Sequence, residues 1–378
     1  MLLALSSDQE FFKETTRRFL IDQVPTSEVR RLRDDPAGFD ADYWRRGAEL
    51  GWTSLLVSEG HGGGTISGAG LVDLSLLAYE FGQHAAPGPL VPTNVVAGTL
   101  SAHGAHDEVL AAVLAGTEIA AWCAPELAPV YGRWATTVEI VRDGAGVVLR
   151  GKAGPVESAG QAGHLLVTGR DGDGITQVLV PAAAAGVSIE ALRTTDLTRR
   201  FGAVTFDDVR VSQEALVGPP ERASSDVELQ FHRTLVILNS EAVGAMQAAF
   251  DMTVEWAFDR YAFGRPLASY QALKHRFADM LTWVEASHAI SDAACSATEE
   301  GSPEAAELTS VAKAFIGQYG AEVLQDCVQM HGGIGVTFEH DLHLFLRRFT
   351  VNRALAGTPA EHRQRIGAIV NQQEGTAA

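Results

Sequence analysis

Three long segments near the end of the chain, 229–261, 270–299 and 303–331, carry apolar side chains at a period close to 3.6 residues. Amphipathic helices of that length cannot bury their apolar stripes alone, so they must pack against one another as a bundle. A shorter helix is expected over 339–355, and another beginning near Glu361. Ahead of this region the texture is different. Short β-rich runs occupy 138–142, 146–150, 164–168, 177–180 and 203–206, separated in places by Asp-Gly and Gly-Ala turns. They read as a small antiparallel β domain of six to eight strands. The first part is helical again. Apolar positions Phe12, Thr16, Phe19 and Leu20 follow a cap at Ser7, a second helix over 40–50 stops at Gly51, and a glycine-rich loop covers 58–65. Helical periodicity returns over 72–81 and is broken by the prolines of 87–92. The expectation is an α+β chain in three parts: helices over 1–123, a β-barrel domain over 124–217 and a helical bundle over 218–378.

At 378 residues the chain is too long for one ordinary core, and 46% hydrophobic with 20% charged residues is a globular composition. A net charge of −18 argues against nucleic acid or an anionic membrane surface as the main partner. Cys123, Cys295 and Cys327 are odd in number and lack CxxC spacing, which supports neither a disulfide framework nor a zinc site. They read as small buried hydrophobes in a reducing cytosol. The opening MLLALS is too short and too acidic in its sequel for a signal peptide, and no run of 18 apolar residues occurs. A cytoplasmic protein is expected.

Two stretches carry the chemistry. In 260–278, RYAFGRPLASYQALKHRFA, Arg260 ends a helix just before Phe263 and a turn through Gly264 and Pro266. Such an arginine can pair with a pyrophosphate, or it can complement its own helix dipole. In 329–348, QMHGGIGVTFEHDLHLFLRR, Gly332 and Gly333 let a ligand approach the backbone, or they cap a helix. Arg347 and Arg348 with His340 and His343 admit a metal or phosphate cluster, but a helix face making ion pairs is favoured.

These stretches, together with LAGT at 355–358, GWTSLLVSE at 51–59 and AYEFGQ at 78–83, resemble the acyl-CoA dehydrogenase family of flavoenzymes. The order helices, strands, helices matches over essentially the whole chain. The resemblance implies FAD at the domain junction and at a subunit interface of a dimer or dimer of dimers. It implies that Arg260, with Phe263 beside it, reaches the FAD diphosphate of a neighbouring subunit, and that Gln271 is a further nucleotide contact. Gln329, Gly332 and Gly333 would touch the adenosine half, with Thr358 as another cofactor contact. The implied reaction forms a 2,3-enoyl-CoA from an acyl-CoA and passes electrons to an electron-transfer flavoprotein.

The likeness breaks where the reaction needs a base. The family's commonest catalytic glutamate position falls on Ala356, and the alternative position lies near His232, Arg233 or Thr234. None of these is a carboxylate. Glu241, two helical turns beyond Thr234 amid small and apolar neighbours, is the first candidate base, its alternative being a buried structural carboxylate. Glu361 is next. The β domain departs too. The family's acidic-Pro-Gly segment corresponds to 122–130, its Trp-x-Thr to 151–158, and the tryptophan position to Gly154. A small residue at 356 suggests a wide pocket for a bulky or branched acyl group. Two rival readings stay open: a non-catalytic or half-site partner of a homologous chain, and a flavin oxidoreductase of this fold with different chemistry.

Overall fold

The computed structural model describes residues 5–128, 131–144 and 146–377. The first four residues of the opening stretch, and Pro129 and Val130 of the 122–130 segment, lie outside the described residues. The N-terminal part is built from α1 (Ser7–Gln23), α2 (Thr26–Arg31), α3 (Ala41–Glu49), α4 (Gly70–Gln83), α5 (Leu90–His103) and α6 (Asp107–Leu114). The cap of α1 is Ser6, one residue before the expected Ser7. Its hydroxyl accepts from the Gln9 amide at 3.2 Å while the Gln9 side chain accepts from the Ser6 amide at 3.1 Å. Ser7 stands at the same spacing from Glu10, so the capping-box pattern fits either serine, and the fold closes it at Ser6 and Gln9. Asp40 caps α3 by accepting from the Tyr43 amide at 2.9 Å. Pro87 and Pro89 lie between α4 and α5. Pro92 sits in the first turn of α5, where its missing N–H has no intrahelical partner to lose.

The middle domain is a mixed sheet of seven strands: β1 (Ala120–Cys123), β4 (Glu139–Asp143), β5 (Gly146–Glu157), β6 (His164–Asp171), β7 (Gly174–Pro181), β8 (Val187–Leu192) and β9 (Phe201–Ser212). The pair β2 (Glu126–Leu127) and β3 (Trp134–Ala135) stands apart from it. Most neighbours are antiparallel, but β1 runs parallel to β6, and β4 meets β6 in parallel through Glu139 and Arg170. The expected all-antiparallel domain is corrected at these two pairs. A parallel pair needs a crossover rather than a hairpin, and the β2–β5 excursion between β1 and β6 supplies it. The sheet also begins at Ala120, inside the stretch expected to be N-terminal.

The C-terminal domain holds α7 (Ala223–Asp259), a small hairpin of β10 (Tyr261–Ala262) and β11 (Arg265–Pro266), then α8 (Gln271–Glu299), α9 (Ala305–His331), α10 (Leu342–Ala354) and α11 (Pro359–Ala377). Helix α7 is the axis of the molecule, packing on α4 as well as on α8, α9 and α10. Its approach to α4 is backbone to backbone. A Cβ placed at Gly244 would fall 2.1 Å from the Tyr79 carbonyl oxygen, and one at Gly82 would fall 2.0 Å from that of Glu241.

Glu80 of α4 is buried, one of its oxygens lacks a hydrogen-bond partner, and Lys13 stands 3.7 Å away. Burial, partly offset by Lys13, pushes its carboxyl up to about 7. A folded-state value above the unfolded ~4.3 means that stability is full below pH ~4 and lost as pH rises through 7. Glu80→Gln is therefore expected to raise the melting temperature at pH 8 and to leave it nearly unchanged at pH 4.5, read by thermal melts at the two pH values.

Candidate active site

A cavity of about 320 Å³ lies where the three domains meet. Val91 and Pro92 of α5 form one wall. Trp122, Gly154, Pro155, Glu157 and Phe201 of the sheet form a second. The C-terminal domain supplies Phe231, Thr234 and Leu238 of α7, then 354–357 and Glu361. The sheet and α7 thus face each other across a space with both apolar and polar walls. One wall residue, Thr234, has its hydroxyl oxygen buried without a hydrogen-bond partner. Native interiors rarely leave such an atom unmatched, so a ligand is the natural partner. Ala356 lines the cavity in a left-handed backbone conformation, φ +55°.

Three carboxylates line the cavity: Glu126, Glu157 and Glu361. Glu361 is the N-terminal box of α11, its Oε2 accepting from the Thr358 amide at 2.7 Å and the Thr358 hydroxyl at 2.8 Å. Those two bonds hold its carboxyl below the usual range, and the residue is exposed. Thr358 is exposed too, and its hydroxyl is spent on Glu361. Glu157 has a side chain only 10% exposed. Its Oε1 lies 3.1 Å from Nε of Arg199, an ion pair outside hydrogen-bond alignment. Burial pushes its carboxyl up, Arg199 and Arg348 pull it down, and Glu241 and Asp196 push it up again, the net direction being upward.

Glu241 is not the unpaired carboxylate that its neighbours in sequence suggest, and it is absent from the cavity wall. Its Oε1 accepts from Nη1 of Arg348 at 2.7 Å, and its Oε2 accepts from Nδ2 of Asn352 at 2.9 Å and pairs with Arg199 at 3.0 Å. Arg348 also donates to Asp196 at 2.5 Å, to the carbonyls of Ala86 and Ala85 and to the Thr198 hydroxyl. Burial pulls Asp196 up, but Arg348 and the Thr198 and Arg199 amides outweigh it and hold its carboxyl far below the usual range. Asn352 accepts from Arg199 through its side chain and from buried Lys313 through its carbonyl. Burial, with Arg199 and Arg353 nearby, pushes the Lys313 amine down to about 7. This network ties α7, α9 and α10 to the β8–β9 loop. So Arg348 is an ion-pairing residue, and Arg347 donates to the Thr195 carbonyl at 3.0 Å.

The nucleotide-arm residues gather elsewhere, at the far ends of α7 and α9. The Leu267 amide donates to the Arg260 carbonyl at 2.8 Å and the Tyr270 hydroxyl to the Ala262 carbonyl at 2.7 Å, which sets Arg260 beside the start of α8 and Gln271. The Arg260 guanidinium lies over the Trp256 ring, which stacks on His331 at 5.3 Å. The next residues are Gly332, at φ +64°, and Gly333, and a Cβ on either would meet no atom within 4 Å. Arg260, Gln271 and Gln329 are exposed, and Phe263 is 99% exposed. The structure therefore brings six expected cofactor residues to one outward surface and leaves Thr358 apart from them, exposed and bonded to Glu361. Sequence reasoning passed over Arg199, Asp196 and Glu157. The available signal for Glu157 was a glutamate inside a strand whose sequence neighbour Val156 is apolar and buried.

Residues 6–117 match the family described as acyl-CoA dehydrogenase, N-terminal domain, and residues 226–370 match acyl-CoA dehydrogenase, C-terminal domain. Over 365 residues the chain is 27% identical to acyl-CoA dehydrogenase IpdE2 of Mycobacterium tuberculosis, covering 96% of this chain and 97% of that one. Among solved structures, a variant of the Tcur3481-Tcur3483 steroid ACAD superposes with a TM-score of 0.86 at 28% identity, covering 98% of this chain and 99% of the other. A glutaryl-CoA dehydrogenase from Mycobacterium smegmatis in complex with FADH2 shares the fold, with a TM-score of 0.84 at 19% identity over 97% and 95% of the two chains.

Proposed function

The chain belongs to the acyl-CoA dehydrogenase family, oxidoreductases acting on a CH–CH group, and we propose that it is an FAD-dependent dehydrogenase forming a 2,3-enoyl-CoA from a bulky or branched acyl-CoA. The observation that carries this reading is the cavity at the three-domain junction, with the orphaned Thr234 hydroxyl on its wall and only a methyl group at position 356. The residues fit FAD in two parts. The orphaned hydroxyl of Thr234 awaits a polar partner at the cavity. Arg260, Phe263, Gln271, Gln329, Gly332 and Gly333 form an open surface suited to a diphosphate and adenosine of a neighbouring subunit. When bound, FAD supplies the hydride acceptor for the β C–H bond. The chain's own walls exclude water and orient the thioester. An electron-transfer flavoprotein or similar acceptor reoxidises the protein.

Incubation with acyl-CoA thioesters and an artificial electron acceptor tests this. Mass spectrometry should find a product 2 Da lighter, and unchanged mass across straight, branched and polycyclic acyl groups would contradict it. Exposed Arg260 also gives a binding prediction. Arg260→Ala should lower flavin retained per chain about tenfold, a charge-assisted contact being worth roughly 1.5–3 kcal/mol, while the apoprotein melts as before. Absorbance against protein mass after gel filtration reads this ratio.

Ala356 favours one second reading, a partner that lends its nucleotide arm to a homologous chain holding the base. The steroid ACAD relative is named for two polypeptides. Under this reading the chain purifies from its host with a homologue and turns over only in that company.

A further inference from the structure

We propose that Glu157 is the catalytic residue that accepts the α-proton of the acyl thioester in this cavity, with Arg199 as its positioning residue. This rests on the acyl-CoA dehydrogenase reading above and assigns the base which that reading lacks.

Elimination among the carboxylates carries most of the argument. A general base must reach the cavity, must be shielded from water and must have lone pairs to spare. Glu241 fails the first condition and the third, since it is absent from the wall and Arg348 and Asn352 donate to its two oxygens. Glu361 fails the second and third, being exposed and spent as the helix-box partner of Thr358. Glu126 is exposed on a two-residue strand. Glu157 alone meets all three: it lines the cavity, its side chain is nine-tenths buried, and its Oε1 is held by the Arg199 ion pair rather than by an aligned hydrogen bond, whereas both oxygens of Glu241 accept such bonds.

Its surroundings suit the task. Arg199 Nε at 3.1 Å holds the carboxylate in place, but that guanidinium is shared with Glu241 and Asn352, so its charge is divided. The groups facing Glu157 are Arg199 and Asp196 from the β8–β9 loop, Glu241 from α7 and Arg348 from α10, two cations against two other anions. With attraction and repulsion near balance, burial decides, and the carboxyl is left more basic than an exposed glutamate. In the step itself the α C–H bond breaks, the proton forms an O–H bond on Glu157, and the electron pair stays as the thioester enolate. Were FAD bound there to accept the β hydride, that pair would become the 2,3-double bond. Without hydride transfer, the proton returns to the α carbon.

The reverse of proton abstraction supplies a readout that needs no flavin turnover. The full chain, as purified from its host with any associated chain and reduced with dithionite, is incubated in D2O with butyryl-CoA, cyclohexanecarboxyl-CoA or a bile-acid CoA thioester. Deuterium at the α carbon is then followed by mass spectrometry. The wild-type protein should wash deuterium into at least one thioester, at a rate that rises with pH through one ionisation above the usual carboxylate range. Glu157→Gln should slow exchange ~10²–10⁴-fold, and Glu157→Asp less. Arg199→Lys, by loosening the ion pair, should move the pH midpoint upward. Exchange in Glu157→Gln within about tenfold of wild type, or a flat wild-type pH profile, would overturn Glu157 as the base while leaving the acyl-CoA reading intact. No exchange in wild type with any of the three thioesters would overturn both.

Discussion

Arg348→Met is expected to cost the folded state about 3–5 kcal/mol, among the largest losses a single substitution can cause here. Methionine fills much of the same volume, so the loss is not one of packing. It arises because Asp196 and Glu241 stay buried without their shared cation, while the Ala85 and Ala86 carbonyls and the Thr198 hydroxyl lose a donor. Lysine should not rescue it, since one ammonium cannot reproduce a planar fork that reaches from α10 to α7, the α4–α5 connection and the β8–β9 loop. The same pairing fixes a pH signature. Asp196 is held below its unfolded value, so its contribution is complete above about pH 5 and is lost as pH falls through the unfolded value near ~4 toward the folded one. Urea midpoints from pH 3 to 7 should therefore rise with pH in the wild type and flatten in Arg348→Met. A loss under about 1 kcal/mol at pH 7 would show that the network is incidental.

Gly244→Ala should also destabilise, and its sign is informative. Helix propensity alone favours alanine over glycine by about 1 kcal/mol. Packing argues the other way, because the new methyl group would fall 2.1 Å from the Tyr79 carbonyl oxygen, which is backbone and cannot rotate aside. Separating two helices costs roughly 1–3 kcal/mol or more. Moving α7 also displaces Thr234 and Leu238 from the cavity wall, so flavin retention should fall with the melting temperature. A stabilised variant would mean that α4 and α7 do not approach this closely.

The architecture was legible because periodicity reports local structure. The long segments reappear as α7, α8 and α9, and the β-rich runs as β4, β5, β6, β7 and β9. The parallel pairing of β1 with β6 was not legible, since nothing local to either strand specifies a partner across an intervening excursion. The same limit governed the site. Glu241 looked unpaired because its neighbours in sequence are small and apolar, whereas Arg348 comes from 107 residues away. The mutual placement of Arg199 and Glu157 likewise depends on the β8–β9 loop folding over the end of β5. Arg260, Gln329, Gly332 and Gly333 were legible as a motif, and the fold gathers them on one surface with their polar groups outward.

An anaerobic titration of the purified protein with acyl-CoA thioesters, following the flavin absorption band, tests the central claim most directly. A flavin-loaded protein whose band bleaches with one bulky or branched thioester, at about one equivalent per flavin, is the result expected of an acyl-CoA dehydrogenase with this cavity. A yellow protein whose band persists with every thioester, even when supplied with a homologous partner chain, would contradict it.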